Sequence, residues 1–437
     1  MSERGRLVDR VGVLRPLRLR DFRLLWLGMA VSLIGDGIYL ISIAWLVYQD
    51  LDASPVAFAA VGIAWSLPQV ILLLATGALA DRMDRRHLMI AGDLIRLVSI
   101  GTVGLLALNG SITVPILVAL VAIFGMGNAV FIPAFNSIVP TIVPEDLLVS
   151  ANSVDQVVRP IGWFVLGPTI GGILVTFGAG WAFLADALTF GVSALCISLM
   201  RVRPTPDAAG DADDLKADVV EGLRYVRSQR WILLSLLAAV VSLLCVWGPW
   251  ETLVPFVVTD EQQLGGSGFD LALVFGAGGV ASLLVGLIMA QRGTLPRRPL
   301  TVMYLAWSLG MLMTTGFGLV TALWQAMAIS FVAEGSIALL VVVWYTLLQR
   351  LVPSDLLGRV VSLDWMITIA GLPLSFLIVG PSAGMFGADA VLIVAGILGA
   401  AATLTFMFVP GARGPERDGR LDEVRLDAPA EAAAESP

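Results

Sequence analysis

Gly77-Ala78-Leu79-Ala80-Asp81-Arg82-Met83-Asp84-Arg85-Arg86 is a short charged stretch joining two long apolar runs, at 56–80 and 87–109. Crossing the hydrocarbon core of a bilayer as a helix takes about 20 mostly apolar residues, and each run is long enough. Three arginines gathered between two such runs point to a helical hairpin whose turn lies in the cytoplasm, where the loops of membrane proteins collect cations. Working outward, similar runs recur at 24–48, 113–136, 155–178, 181–201, 231–258, 269–291, 299–319, 322–348, 360–384 and 388–410. The expected fold class is an all-α membrane protein of twelve transmembrane helices.

Composition agrees. The chain is 57% hydrophobic and 14% charged, whereas a soluble domain carries roughly a quarter charged residues. Its net charge of −7 belongs to loops and tails. The two cysteines, Cys196 and Cys245, both lie in apolar runs, so no disulfide framework and no paired-cysteine zinc site is expected. His87 is the single histidine, which excludes a zinc-hydrolase helix with two histidines. The single lysine, Lys216, follows Leu215, so there is no Gly-Lys-Ser/Thr phosphate loop to bind ATP. No enzyme activity, metal, cofactor or nucleic-acid partner is expected. The first 23 residues are arginine-rich without an apolar core, and no cleavable signal peptide is expected there.

The cations orient the chain. Of 27 Lys and Arg residues, 25 fall before Leu24, in alternate loops, or after residue 410. The intervening loops hold acids instead, such as Asp50, Asp52, Asp260 and Glu261. The positive-inside rule then places both termini in the cytoplasm. Only Arg96 and Arg159 lie inside spans.

The longest polar interruption falls at 202–230, and Leu215 to Arg227 within it reads as a surface helix. Either side of it the sequence repeats. Val143-Pro144-Glu145-Asp146-Leu147-Leu148 matches Val352-Pro353-Ser354-Asp355-Leu356-Leu357, a shift of 209 residues. The same shift relates Ser153 to Ser362, Asp155 to Asp364, Gly162 to Gly371, Phe177-Gly178-Ala179 to Phe386-Gly387-Ala388, and Gly77 to Gly286. The expected organisation is a basic cytoplasmic segment at 1–23, a six-helix half at 24–201, a cytoplasmic linker at 202–230, a second six-helix half at 231–410, and a disordered cytoplasmic tail at 411–437 rich in Ala, Glu, Asp and Pro.

Parallel six-span repeats are the layout of the major facilitator superfamily, and the 77–86 loop resembles the cytoplasmic loop signature of its members. That resemblance implies a conformational latch made by Gly77, Leu79, Asp81, Arg82, Arg85 and Arg86. Gly77 permits close helix packing, and Asp81 faces the N-terminus of the eleventh helix, whose dipole it complements. In the second half Gly286 to Arg298 is degenerate, with Ala290 in place of the aspartate. Gly162-Trp163-Phe164-Val165-Leu166-Gly167-Pro168-Thr169-Ile170-Gly171-Gly172 resembles the antiporter signature of drug exporters, with Gly162, Gly167, Pro168, Gly171 and Gly172 as its elements. Phe124-Gly125-Met126-Gly127-Asn128 stands where the two larger drug:proton antiporter groups carry an arginine. Arg20-Asp21-Phe22-Arg23-Leu24-Leu25-Trp26, followed by Ser32-Leu33-Ile34-Gly35-Asp36-Gly37, resembles the third group, which includes macrolide-efflux and enterobactin-exporter proteins.

Ionisable residues inside a membrane cost about 2.5–3.5 kcal/mol each and usually face a cavity. Position along each span sorts them. Asp36 and Glu334 lie about midway along their spans, where a carboxylate can take a proton from one side and release it to the other. They are the leading proton-coupling or substrate candidates, with Glu251, nearer the outer end, as a third. Asp186 lies near the outer start of its span, and Asp93, Arg96, Asp155, Arg159 and Asp364 nearer the cytoplasmic ends. Asp93 with Arg96, and Asp155 with Arg159, have the i,i+3 and i,i+4 spacing of intramembrane pairs, which would organise packing or gating. Trp45, Trp65, Trp247, Trp250, Trp307 and Trp344 are candidates for a cavity wall, although tryptophans in membrane proteins also anchor interfaces or pack.

The expected function is proton-coupled export of small amphipathic drugs or secondary metabolites by alternating access, from a monomer in a bacterial inner membrane. Proton-coupled import of a small solute, siderophore export on the same fold, and a non-transporting receptor or scaffold are the alternatives.

Overall fold

The computed structural model describes residues 12–82, 84–144, 147, 159, 161–201, 212–292 and 295–418. Each apolar run is occupied by a helical segment. α1 is Arg20–Trp45, continued by a π-helical turn at Leu46–Asp50; α2 is Pro55–Arg82, α3 Arg85–Leu108 and α4 Val114–Ile142. α5 is Gly167–Leu174, between a π-helical turn at Ile161–Leu166 and a 3-10 turn at Val175–Phe177, and α6 is Ala179–Ser198. α7 is Arg230–Thr259, α8 Gly268–Arg292, α9 Pro299–Phe317, α10 Leu323–Leu351, α11 Ser354–Phe386 and α12 Ala388–Phe408. Among the described residues there is no β-strand, and eleven helices are long and apolar enough to cross a membrane. The region of α5 is the exception: its apolar helical stretch covers Ile161–Phe177, and most of the chain just before it lies outside the described residues. Pro168 has no N–H to offer the preceding turn, which is π-helical.

The same pairings recur in the first six and the last six segments. α1 packs on α5 and α6, α3 on α4 and α6, and α2 on α4. Likewise α7 packs on α11 and α12, α9 on α10 and α12, and α8 on α10. The two sets meet through α2 against α11 and α5 against α8. Small residues make these contacts possible. A Cβ on Gly167 would lie 2.6 Å from the Cα of Gly37, and one on Gly172 2.8 Å from the Cβ of Ala272 in α8. A Cβ on Gly62 of α2 would meet the ring of Phe376 of α11 at 2.6 Å. The glycines of the antiporter-like stretch are therefore close-approach positions toward both α1 and α8.

The core is lopsided. One large apolar cluster joins both sets at the end where α1 and α7 finish, with Val47, Tyr48 and Phe58 from the first set and Leu253, Val257, Phe275 and Val379 from the second. At the opposite end, among the described residues, the clusters are separate. One draws on the first set alone, including Leu25, Met89, Phe131 and Ile138. The other draws on the second set and the helix before it, including Trp231, Tyr304, Leu347 and Val360.

The expected surface helix is present at Ala212–Ser228. It is docked rather than free: Arg359 of α11 bonds Glu221 at 2.7 Å, and Val226 enters the core of the second set. The reading of everything after residue 410 as disordered needs correction. Residues up to Asp418 are described, Ala412 is buried, and Gly414–Arg417 forms a helical turn. The cause is a cap. Glu416 accepts the backbone N–H and the hydroxyl of Thr301, both at 2.7 Å, meeting donors that the first turn of α9 leaves unsatisfied and favouring the positive end of its dipole.

Candidate functional site

Three carboxylates converge in the first set. α3 carries Asp93 and Arg96, and the guanidinium of Arg96 donates to the carboxylate of Asp93. Its other terminal nitrogen donates to Oδ1 of Asn128 on α4 at 3.3 Å. The guanidinium also lies over two rings, 4.1 Å from the centroid of Phe131 and 4.4 Å from that of Phe190, a favourable setting for a buried cation. Glycine makes the room, because a Cβ on Gly127 would lie 2.8 Å from Cγ of Arg96. Asp186 on α6 is fully buried, and neither of its carboxylate oxygens has a hydrogen-bond partner. Its Oδ1 sits against Gly35 of α1. The neighbouring Asp36 is half-buried and interacts electrostatically with Arg96, Arg159, Asp93 and Asp186.

The second set holds two acids. Glu334 of α10 lies over Gly278 of α8, where a Cβ would be 2.6 Å from its Cγ. The hydroxyl of Ser282 donates to its backbone carbonyl at 3.3 Å. Glu251 of α7 interacts electrostatically with Glu334. α7 is disturbed one turn before Glu251: the hydroxyl of Ser375, on α11, accepts the N–H of Gly248 at 2.7 Å and donates to the carbonyl of Leu244 at 3.0 Å. It thus stands between the two partners of one helical hydrogen bond, beside Pro249, a recognised cause of helix bending.

Position along the spans had separated groups that the structure brings together. Asp93 and Arg96 make the expected i,i+3 pair, yet they share one cluster with Asp36 and Asp186. Glu251 and Glu334, assigned different depths, interact with each other. Asp155 lies outside the described residues, and Arg159 acts on Asp36 electrostatically. Asp364 of α11 accepts from Trp344 Nε1 at 3.4 Å and from the Tyr345 hydroxyl at 3.3 Å. Trp344 and Trp307 are buried packing residues, the first edge-on to Trp231 and the second stacked on Tyr304. Trp45, Trp65 and Trp250 pack partly buried against the shared core, Trp250 edge-on to Phe317. Trp247 is exposed.

The backbone of Gly77, Leu79, Asp81 and Arg82 completes α2, while the side chains of 73–83 lie outside the described residues. Asp84 caps α3 by accepting the N–H of Arg86 at 2.9 Å. Arg86 in turn donates to the carbonyls of Ile197 and Ser198 at the end of α6, and Arg85 is buried. The sequence reasoning passed over Tyr48, whose hydroxyl donates to the carbonyl of Thr252 at 2.6 Å, and Gln49, whose amide donates to that of Thr259 at 2.7 Å. Both bonds cross from α1 to α7. It also gave Asn128 and Asp186 no role. An aspartate in an otherwise apolar span was the available signal for Asp186.

Residues 11–424 match the model of a family described as transmembrane secretion effector. The chain belongs to that family of the major facilitator superfamily. Among its curated relatives, the multidrug efflux pump Tap of Mycolicibacterium fortuitum is 30% identical over 377 residues, covering 82% of this chain and 87% of its own. The macrolide efflux protein A of Streptococcus pyogenes is 24% identical over 384 residues, covering 86% and 93%. Solved structures share the fold. The nucleoside transporter NupG aligns with a TM-score of 0.65 at 11% identity, over 89% of this chain and 99% of its own. A bacterial homolog of the human lysosomal transporter Spinster aligns with a TM-score of 0.62 at 16% identity, over 90% and 96%. The protein is a multi-pass membrane transporter, not an enzyme.

Proposed function

We propose that this protein is a proton-coupled exporter of amphipathic drugs or secondary metabolites, working as a monomer in the bacterial inner membrane. The reading takes α1–α12 as twelve spans in two six-helix halves, 24–201 and 231–410, with both termini in the cytoplasm. The observation that carries it is the lopsided core. Among the described residues, two sets of helices with matching pairings share apolar packing at one end and keep separate clusters at the other. Rocking the halves about a midplane site requires contacts of this kind, made at one end and absent at the other. With the cation-rich loops inside, the closed end is the outer one, and this conformation opens to the cytoplasm. The 77–86 loop would then latch the opposite, outward-open state. Asp36, Glu334 and Glu251 are the proposed coupling acids, and Trp45, Trp65, Trp247 and Trp250 line the path of an apolar substrate. Export is the direction supported by the relationship, along most of the chain, to efflux pumps.

The test uses inside-out vesicles from cells producing the protein, with erythromycin as the probe. A vesicle interior made acidic should drive erythromycin uptake, and collapsing the pH gradient should stop it. Uptake in right-side-out vesicles with an inward proton gradient, and none in inside-out ones, would reverse the direction. Movement in neither would favour a receptor or scaffold.

A further inference from the structure

The cluster in the first half carries more acid than its cations balance. Asp36, Asp93 and Asp186 face Arg96, with Arg159 in electrostatic reach of Asp36. Even counting both arginines, three ionised carboxylates leave one negative charge in excess. An ionised carboxylate buried without a partner is too costly to persist, and such a group takes up a proton instead. The surroundings say which carboxyl that is. Asp93 holds the guanidinium of Arg96. The rest of that guanidinium is engaged by Asn128 and two aromatic faces. Asp36 is half-buried. Asp186 alone is fully buried with both oxygens unpartnered. The Thr189 hydroxyl beside it donates to the backbone carbonyl of Asp186, at 2.6 Å.

Among the described residues the other groups facing it are few. From α3 comes Arg96, and from α1 come Asp36 and Tyr39, whose ring packs on Phe124 and Phe183. α5, which reads GPTIGGIL, brings no ionisable side chain.

We propose that Asp186 is a proton-carrying residue of this transporter, loaded and emptied through Asp36. Gly35 supplies the junction, because it precedes Asp36 and its missing side chain leaves the space that Oδ1 of Asp186 occupies. In the transfer, the O–H bond on the Asp186 carboxyl breaks and one forms on the Asp36 carboxylate. The proton then leaves to water on the open side. The excess negative charge left behind is cancelled when the next proton enters by the same route. No oxidant, reductant or other reactant takes part. The role in transport rests on the proton-coupled reading above, whereas the protonation of Asp186 does not.

Two measurements on purified protein in liposomes separate these. Infrared difference spectra recorded across pH read the C=O stretch of protonated carboxyls without any substrate. Wild type should show this band at neutral pH, and Asp186→Asn should lose part of it. Asp36→Asn should keep the Asp186 band but slow its exchange in deuterated water. If Asp186→Asn does not fold, Asp186→Glu should shift the band rather than remove it. No protonated-carboxyl band in wild type, or a band unchanged by substitution at Asp186, overturns the proposal. In the second measurement, Asp186→Asn should retain erythromycin counterflow and lose uptake driven by a pH gradient. Gradient-driven uptake at the wild-type rate also overturns it. If wild type moves no erythromycin, the export reading has failed and the infrared result alone decides for Asp186.

Discussion

α3 brings Asp93 and Arg96 into the first set of helices, whereas the residues 209 further on, in α9, are Val302 and Leu305. The same shift carries Asp36 to Cys245 and Asp186 to Ala395, and Glu251 and Glu334 shift back to Ser42 and Gly125. The pairing of helices repeats almost completely, while the ionisable residues of the two sites do not repeat at all. Close packing constrains helix pairs through shape, and many apolar sequences satisfy the same shape. A buried charge needs its own partner, so it is kept only where a specific arrangement balances it. The first set pairs one of its acids, Asp93, with an arginine held between aromatic rings. In the second set Glu251 and Glu334 interact electrostatically with no cation between them among the described residues, and Glu334 lies over Gly278.

The largest expected effect follows from that difference. Arg96→Ala should destabilise the protein by about 3–5 kcal/mol, the range for breaking a buried pair from one side, and adding Asp93→Asn should recover part of it. Thermal unfolding of the purified variants measures this, and a loss below about 1 kcal/mol would mean that Arg96 does not balance the site. Glu334→Gln should differ in kind. It should change stability by less than about 1 kcal/mol, since no partner is orphaned, yet abolish pH-driven uptake while sparing counterflow. A fall in stability as large as that of Arg96→Ala would erase the contrast between the sets.

Smaller effects probe the contacts between and within the sets. Tyr48→Phe removes one hydrogen bond across the closed end, worth about 1 kcal/mol, and should raise the population open at that end roughly fivefold. Distances between spin labels on the loops after α1 and α7 would report it. The smallest effect is a comparison of counterpart glycines. A Cβ on Gly371 meets nothing within 4 Å, whereas one on Gly162 lies 3.1 Å from the Cβ of Leu33. Gly371→Ala should stabilise α11 by up to about 1 kcal/mol, and Gly162→Ala should not. Equal gains in thermal stability would show that α5 and α11 are packed alike after all.

The eleven membrane-length helices among the described residues were legible because hydropathy is a property of single segments. The pairing of Asp93 with Arg96 was legible too, since it lies within one helix. The wider site was not. Whether Asp186 meets Asp36 depends on how α1 and α6 are rotated about their axes and where Gly35 opens a gap, and neither can be computed from distance along a span. The cage of Phe131 and Phe190 about Arg96 joins α4 and α6 to α3, so no local pattern announces it. The docking of Glu416 on α9 escaped for the same reason: 115 residues separate it from Thr301.

That docked turn has a practical side. Because Glu416 satisfies the first turn of α9, the chain after Asp418 is the place to attach a fluorescent reporter or an affinity handle. A fusion that cuts into Gly414–Arg417 strips a support from the second half. Any loss of expression or of transport in such a strain would then reflect the position of the graft rather than the transporter itself.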